Sequence, residues 1–88
     1  MRLSEENYKK LVKLIFEALD RSDENLNLFG EGVYTPPPDM GITFRIYKIH
    51  DDGHRESLGL SFNRNDLEKL EDREIFINEV LSPKIRNL

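Results

Sequence analysis

The stretch from Ile42 to Asn63 constrains the fold of this chain more than any other, because it specifies a turn, a register and a buried face together. Apolar and polar residues alternate on both sides of a central Asp51-Asp52-Gly53 triplet. Alternation of this kind is typical of half-buried strands. A three-residue hairpin loop ends on a residue in the left-handed region, which glycine adopts without a steric penalty. The stretch therefore predicts a β-hairpin whose loop ends at Gly53.

The loop length also predicts which residues of the two strands face each other. If His50 pairs with His54, all apolar residues of both strands fall on one face. The resulting pairs are Ile46 with Leu58, Phe44 with Leu60, and Ile42 with Phe62. A two-residue loop would distribute the apolar residues over opposite faces, because a slip of one residue turns every side chain over. We therefore expect the three-residue loop, with a second face that carries Thr43, Arg45, Tyr47, Ser57, Gly59 and Ser61.

The N-terminal segment has the pattern of an amphipathic helix. Ser4 is a good N-cap, and Glu5 and Glu6 follow where the helix dipole favours negative charge. Apolar residues then recur at helical spacing, which predicts a helix to about Arg21. We expect the apolar stripe to pack on the hairpin, since the sheet otherwise has no cover. The stripe comprises Tyr8, Leu11, Val12, Ile15 and Leu19, widened by Phe16 and Ala18.

Between this helix and the hairpin, the sequence predicts an irregular first strand and a stiff loop. Strand-like pieces between Leu26 and Thr35 are interrupted by Gly30 and Gly32, a pattern that indicates a bulge or an irregular edge strand. The prolines from Pro36 to Pro38 cannot donate to a strand ladder and favour an extended conformation. We interpret this loop as a connection between strands, and the alternative is that it docks into an aromatic groove of a partner.

The C-terminal region is predicted to be helical with one interruption. Asn65 and Glu68 have the spacing of a capping box. An uninterrupted helix would bring acidic residues into its apolar stripe, so we expect a break near Asp72, which can cap a second helical piece. Ser82 precedes Pro83 as a cap before a proline at a first helical position.

These elements predict an α+β fold in the order helix, three strands and a helical C-terminus, abbreviated αβββα. The simplest arrangement is a three-stranded antiparallel sheet with the helices on one face. At 88 residues the chain is expected to form one domain with a single modest core. The prediction leaves the second face of the sheet open.

The predicted order of elements resembles that of double-stranded-RNA-binding domains. In that family the second helix begins with a cluster of lysines that face phosphate groups. Here the corresponding segment reads Asn65-Asp66-Leu67-Glu68. The resemblance therefore covers the element order alone, and no RNA-binding residue is carried over from it.

Composition narrows the class of protein. Hydrophobic residues make up 38% and charged residues 34% of the chain, a balance typical of soluble globular domains. The absence of cysteine excludes disulfides and thiolate chemistry. The net charge of -4 weighs against general duplex binding, which needs a concentrated basic face. With no signal-peptide pattern and no run long enough for a membrane span, we expect a cytoplasmic protein without membrane contact.

The sequence offers no pattern typical of an enzyme. It lacks a phosphate-binding glycine loop, a nucleophile elbow and a zinc-binding framework, so we expect neither catalysis nor a cofactor. His50 and His54 are weak candidates for metal ligands, because the predicted register makes them neighbours close to acidic residues. Turn chemistry alone explains the Asp-Asp-Gly sequence between them. We therefore favour a structural interpretation of this hairpin tip.

Two surfaces are candidates for binding a partner. Arg45 and Tyr47 lie on the predicted open face among small residues, and both residue types are enriched at interface centres. The second surface is acidic and helical, and would engage a partner with a basic surface. Its candidate residues are Glu68, Glu71, Asp72 and Glu74.

These observations favour a non-enzymatic, protein-binding domain. By analogy of size and fold, such a domain can act as an inhibitor, or as a phage or mobile-element factor, that occupies a surface of a larger host protein. A first alternative is a nucleic-acid-binding module that uses the open face. Its phosphate contacts would come from Lys9, Lys10 and Lys13, or from Arg45, Arg55 and Arg64. A second alternative is a structural homodimer joined through the open face or through the edge of the first strand.

Overall fold

The computed structural model describes residues 3–36 and 41–88, and it has the predicted αβββα order. Three antiparallel strands form one open sheet in the order β1, β2, β3. The strands are β1 (Leu26–Tyr34), β2 (Ile42–Ile49) and β3 (Arg55–Phe62). A 16-residue helix, α1 (Glu5–Asp20), precedes the sheet, and short helical segments follow it.

The hairpin between β2 and β3 has the predicted loop and register. Ile46 faces Leu58, and the other apolar pairs follow in the same register. The His50 N–H donates to the His54 carbonyl over 3.0 Å, and the Gly53 N–H donates to the His50 carbonyl over 2.9 Å. Gly53 has a φ of 90°, the left-handed conformation that this turn requires. Turn chemistry and hydrophobic alternation demand the same register, so the local sequence was sufficient to predict it.

Strand β1 is the irregular edge strand that its two glycines predict. Its register with β2 shifts between Phe29 and Val33. Gly30 lies inside this bulge with a φ of 75°. The bulge also brings the Gly32 N–H to the hydroxyl oxygen of Tyr8, to which it donates over 2.9 Å. The edge strand is therefore tied to α1 at its irregular point.

Helix α1 begins and ends where the sequence predicts, with two differences in its buried face: Leu14, which lies outside the predicted stripe, is buried, and Phe16 is not. The Ser4 Oγ accepts a hydrogen bond from the Asn7 N–H over 3.1 Å, which confirms the N-cap. Leu11, Ile15 and Leu19 are buried as expected, but the Phe16 side chain is 49% exposed. Phe16 lies five residues after Leu11, about 140° around the helix axis, and so points away from the sheet. The predicted widening of the stripe at Phe16 is therefore wrong.

After β3 the chain continues as four short helices and one 3-10 turn. These are α2 (Arg64–Glu68), the 3-10 turn Lys69–Glu71, α3 (Arg73–Ile75), a π-helical segment (Phe76–Leu81) and α4 (Ser82–Arg86). The predicted break at Asp72 is confirmed, since its carboxylate accepts hydrogen bonds from the N–H groups of Glu74 and Ile75.

The two remaining cap predictions in this region are wrong. The capping box of α2 is formed by Asn63 and Asp66, each of which accepts from the other's backbone N–H. The helix begins directly after β3 ends, which places Asn65 inside it. Ser82 likewise has helical dihedral angles and continues a helix. Its N–H donates five residues back, to Ile77, in the π-helical pattern.

Pro83 supplies a physical reason for this π-helical stretch. A proline within a helix lacks the N–H that would donate to the carbonyl four residues earlier, and its ring crowds that carbonyl. Widening the preceding turn relieves this conflict without ending the helix. The segment consequently turns Phe76, Val80 and Leu81 into the core together.

The helices pack on one face of the sheet and leave the other face open. Phe44 and Phe62 make an edge-to-face contact in the core, with ring centroids 6.3 Å apart. Phe76 of the helical layer contacts Phe62, with ring centroids 5.7 Å apart. All three side chains are almost fully buried. The intervening residues of the same strands, such as Arg45, point away from the helices because side chains alternate along a strand.

Two sequence predictions concern segments or properties outside the sheet. Residues 37 to 40 are not among those described, so Pro37 and Pro38 of the predicted connecting loop, and the alternative that this loop docks into a partner, lie outside the described residues. Within residues 3–36 and 41–88, no helix has the length and apolar character needed to cross a membrane.

Candidate interaction surface

The open face of the sheet, which we define by Phe29, Val33, Arg45, Tyr47 and Gly59, is the most distinctive surface of the chain. Arg45 and Tyr47 lie on it, as the sequence predicts, because both occupy outward positions of the central strand. Phe29 of β1 lies directly opposite Arg45. Val33 follows on the far side of the bulge, opposite Thr43.

An aromatic pair forms the apolar part of the open face. The rings of Phe29 and Tyr47 are tilted at 56° to each other, with centroids 5.1 Å apart. Phe29 is 56% exposed and Val33 is 68% exposed. Large apolar side chains that remain in contact with water as a group mark interaction sites more often than scattered ones do. The open face therefore combines an aromatic pair with the guanidinium of Arg45.

Sequence reasoning missed Phe29 as a member of this surface. The ladder is regular from Leu26 to Phe29, which places Phe29 on the face opposite Leu26 and Leu28, but the sequence of β1 alone does not give its register with β2. One signal was available in the sequence, since Phe29 is preceded by Asn27 and Leu28 in alternation and is followed by Gly30. That pattern allows two assignments of the faces, and only the pairing with β2 selects one of them.

The strand-β3 side of the open face is small and uncrowded. Ser57, Gly59 and Ser61 occupy its outward positions, and all three are exposed. A Cβ placed on Gly59 would meet only the Thr43 Cγ2, at 4.0 Å. The face is thus a shallow groove, with Phe29 and Val33 along one side and Gly59 along the other.

Charge is distributed unequally between the two sides of the molecule. In β2 and β3, which lie wholly within the described chain, the charged residues at outward positions are Arg45 and Arg55. Neither strand places a carboxylate there, although the chain as a whole carries a net charge of -4. Glu31 of β1 also lines the groove of the open face, so the face as a whole carries both signs of charge, with the basic charge on β2 and β3. The two arginines complement carboxylates of a partner.

The predicted acidic residues lie in the helical layer, away from Arg45 and Tyr47. Glu68, Glu71, Asp72 and Glu74 are all exposed. Their roles differ, since the Glu68 Oε1 lies 3.6 Å from the Arg64 Nε while Asp72 caps α3. The structure does not bring the two predicted sets of binding residues together, because one faces out from the sheet and the other from the helices that cover its reverse side.

The hairpin tip holds both histidines in a stacked pair. The imidazole rings of His50 and His54 are nearly parallel, with centroids 4.1 Å apart. The His50 Nε2 lies 2.9 Å from the Glu56 Oε1, and the His54 Nδ1 lies 2.5 Å from the Asp52 Oδ1. The His54 backbone N–H also donates to Asp52, and this hydrogen bond, followed by that of the ring, lowers the pKa of the Asp52 carboxyl.

This stacking is unsuited to a shared metal ion. Metal-ligating lone pairs lie in the plane of each imidazole, and a zinc–nitrogen bond is about 2.0–2.1 Å long. Parallel rings about 4 Å apart keep those planes separate, so one ion cannot lie in both. Over the described part of the chain, no cluster of three or more histidine and carboxylate side chains is arranged to hold a metal.

The basic residues predicted for nucleic-acid contact divide between the two layers. Arg45 and Arg55 lie on the open face, whereas Lys9 belongs to α1 in the helical layer and pairs with Glu5 at 3.1 Å. Lys10 and Lys13 lie on the same helix, and Arg64 begins α2. A strand of nucleic acid on the open face would meet the arginines of the sheet but not the lysines of α1.

Comparison with protein-family models, with curated proteins and with solved structures finds no match for this chain. The fold by itself defines an α+β domain with an open three-stranded antiparallel sheet.

Proposed function

We propose that this chain is a non-enzymatic protein-binding domain whose main contact surface is the open sheet face. Phe29, Val33 and Tyr47 supply apolar anchors, and Arg45 and Arg55 attract carboxylates of the partner. Aromatic and arginine side chains are the residue types that most often dominate binding energy at interface centres. An inhibitor that occupies a surface of a larger protein is one role compatible with this design.

One observation carries the proposal: the exposed Phe29 pairs with the partly exposed Tyr47 beside Arg45, on a sheet face that none of the described helices covers. The exposed part of the Phe29 ring adds little to the stability of the domain, because that apolar surface is not buried. Burying the pair against a partner would recover that stabilisation. The two rings are already in contact, so little conformational freedom remains to be lost on binding.

Affinity capture with matched variants tests this proposal. The immobilised wild type is expected to retain one protein from source-cell lysate in stoichiometric amount, with or without nuclease. The double variant Phe29→Ser/Tyr47→Ser should lose it. Phe16→Ser removes a similarly exposed ring from the helical layer and should retain it. Equal retention by all three proteins would contradict the assignment to the open face.

The acidic helical surface is a separate candidate for a partner with a basic surface. Glu71 and Glu74 are the residues to change, because Asp72 has a capping role that confounds its substitution. Glu71→Lys/Glu74→Lys should slow association and reduce its salt dependence if this surface takes part. An association rate that is the same for the variant and the wild type at low salt would remove this surface from the proposal.

Nucleic-acid binding is the second candidate function, and the same aromatic pair supports it. Bases stack on exposed aromatic rings, and the open face adds two arginines without a carboxylate on β2 or β3. Fluorescence anisotropy with single-stranded RNA and DNA at low salt tests this candidate. Binding should weaken steeply as salt increases and should be lost in Phe29→Ser/Tyr47→Ser. A flat titration at low salt would eliminate it.

A further inference from the structure

The two edges of the sheet differ in the backbone N–H and C=O groups that they leave without a partner strand. In an antiparallel pair, the backbone groups of alternate residues point to the partner strand and those of the others point away. The His50 N–H donates to the His54 carbonyl, so the even-numbered residues of β3 bond to β2. The N–H and C=O groups of Ser57, Gly59 and Ser61 therefore point outward from the sheet. Among the described residues, none supplies a hydrogen bond to those groups.

Strand β1 lacks an equally regular edge. Its bulge interrupts the ladder between Phe29 and Val33, and the Gly32 N–H is occupied by the Tyr8 hydroxyl. Bulges and covering side chains are devices by which proteins prevent pairing at exposed edges. Strand β3 has neither device: its pairing with β2 is unbroken, and Ser57 to Phe62 contains no charge and no proline.

We propose that β3 pairs antiparallel with the β3 strand of a second copy of this chain, about a two-fold axis at Gly59. The sheets of the two copies would join into one sheet of six strands. This inference concerns the sheet edge and stands independently of the function proposed for the open face.

The register about Gly59 is what identifies a second copy as the occupant. Two-fold symmetry places Gly59 opposite its own counterpart, and Ser57 opposite Ser61 of the other copy, so the outward backbone groups of both strands meet as hydrogen-bonded pairs. Leu58 faces Leu60 of the other copy on the helical side. No like charges face each other within the paired strands, since Arg55 meets Asn63 and Glu56 meets Phe62. The strand is thus complementary to itself.

The side chains on the open face also permit this approach. Ser57, Gly59 and Ser61 are small, and the outward position at Gly59 has open space around it. Pairing would place the two open faces side by side on one continuous surface. Each copy would then present its Phe29, Tyr47 and Arg45 on the same side of the joined sheet.

Cysteine crosslinking tests the register directly, because the natural chain contains no cysteine. Residues in a hydrogen-bonded antiparallel pair have Cα atoms about 5.5 Å apart, within the range of about 4.4–6.8 Å found in disulfides. Gly59→Cys should therefore form a covalent dimer under mild oxidation. Ser57→Cys alone should not, since its counterpart lies four residues away, about 13 Å along the strand. A mixture of Ser57→Cys and Ser61→Cys should form the mixed dimer.

Light scattering measures the unmodified dimer over a concentration series from about 1 µM to about 1 mM, the range of weak protein affinities. The apparent mass of the wild type should rise towards twice the monomer mass. Gly59→Pro removes the central outward N–H without removing a bond to β2, and proline is tolerated on edge strands. This variant should remain monomeric, while Gly59→Thr, which keeps that N–H, should still dimerise.

Circular dichroism confirms that each variant is folded before its mass is compared with that of the wild type. A wild type that stays monomeric up to the highest concentration would overturn the proposal. Dimerisation of Gly59→Pro with unchanged affinity would also overturn it, as would equal crosslinking of Gly59→Cys and Ser57→Cys. A monomeric wild type whose capture of another protein is lost in Gly59→Pro but kept in Gly59→Thr would assign the edge to a different chain and likewise overturn the dimer.

Discussion

Two aromatic pairs on opposite faces of the same sheet illustrate how the molecule divides its roles. The rings of Phe44 and Phe62 have centroids 6.3 Å apart and are buried beneath the helices. The rings of Phe29 and Tyr47 have centroids 5.1 Å apart on the open face. The inner pair stabilises the fold because its apolar surface leaves water, whereas the outer pair leaves that gain available for a partner. Similar contacts therefore have different consequences on the two faces.

The largest expected difference in the free energy of unfolding comes from truncating one aromatic ring on each face of the sheet. Phe44→Ala creates a cavity in the packed core and should lower the free energy of unfolding by about 3–5 kcal/mol. Phe29→Ala removes a half-exposed ring and its contact with Tyr47, and should lower this free energy by about 1 kcal/mol or less. Urea denaturation of both variants measures the difference. Equal losses for the two would show that the open face contributes to stability, contrary to the comparison.

A second comparison uses the same substitution at two glycines. A Cβ at Gly41 would lie against the Phe62 backbone carbonyl, whereas one at Gly59 meets nothing closer than 4.0 Å. Gly41→Ala should therefore destabilise the domain by about 1–3 kcal/mol through overpacking. Gly59→Ala should stabilise it by about 0.5–1 kcal/mol, because alanine loses less backbone entropy in a strand. Thermal unfolding that places both variants on the same side of the wild type would contradict this contrast.

The helices that cover the inner face of the sheet depend on N-caps. Two substitutions of Asp72 separate the effect of its capping hydrogen bonds on stability from the effect of its charge. Asp72→Ala removes the side chain that accepts from Glu74 and Ile75 and should cost about 1 kcal/mol. Asp72→Asn removes the same charge but keeps a capping oxygen, so its stability should stay close to that of the wild type. Urea denaturation compares the two. If Asp72→Asn is as unstable as Asp72→Ala, the charge and not the cap is responsible.

The smallest expected effect lies at the hairpin tip, remote from both aromatic pairs. The pKa of Asp52 is lowered in the folded protein by the hydrogen bonds from His54, so its ionised form contributes stability above its unfolded pKa. That contribution is lost as the pH falls through the lower, folded pKa, below about 4. Asp52→Asn should flatten this part of the stability curve. Identical acid unfolding profiles for the variant and the wild type would contradict the assignment to Asp52.

How far sequence reasoning succeeded depended on whether neighbouring signals agreed. The hairpin register, the Ser4 cap and the break at Asp72 were predicted, since in each case a local hydrogen bond and the apolar pattern require the same arrangement. The capping box of α2 was misplaced by two residues, because Asn63 and Asn65 are both good caps. The end of β3 decides between them.

The candidate surface was predicted only in part. Arg45 and Tyr47 follow from the hairpin register, but the position of Phe29 depends on the register of β1 with β2, which sets Phe29 opposite Arg45. The exposure of Phe16 similarly depends on how α1 is rotated against the sheet. Neither the register between β1 and β2 nor the rotation of a helix is encoded in a single stretch of sequence.

The sequence by itself determined the turn at Gly53, the alternation around it and the helical periodicity of α1, because these follow from interactions between residues close along the chain. Only the tertiary structure decided which surfaces remain available. The register of β1 with β2 puts Phe29 beside Tyr47, the helices all take one side of the sheet, and β3 keeps a regular free edge. These outcomes depend on contacts between segments that are distant in the chain, where packing competes with each local preference.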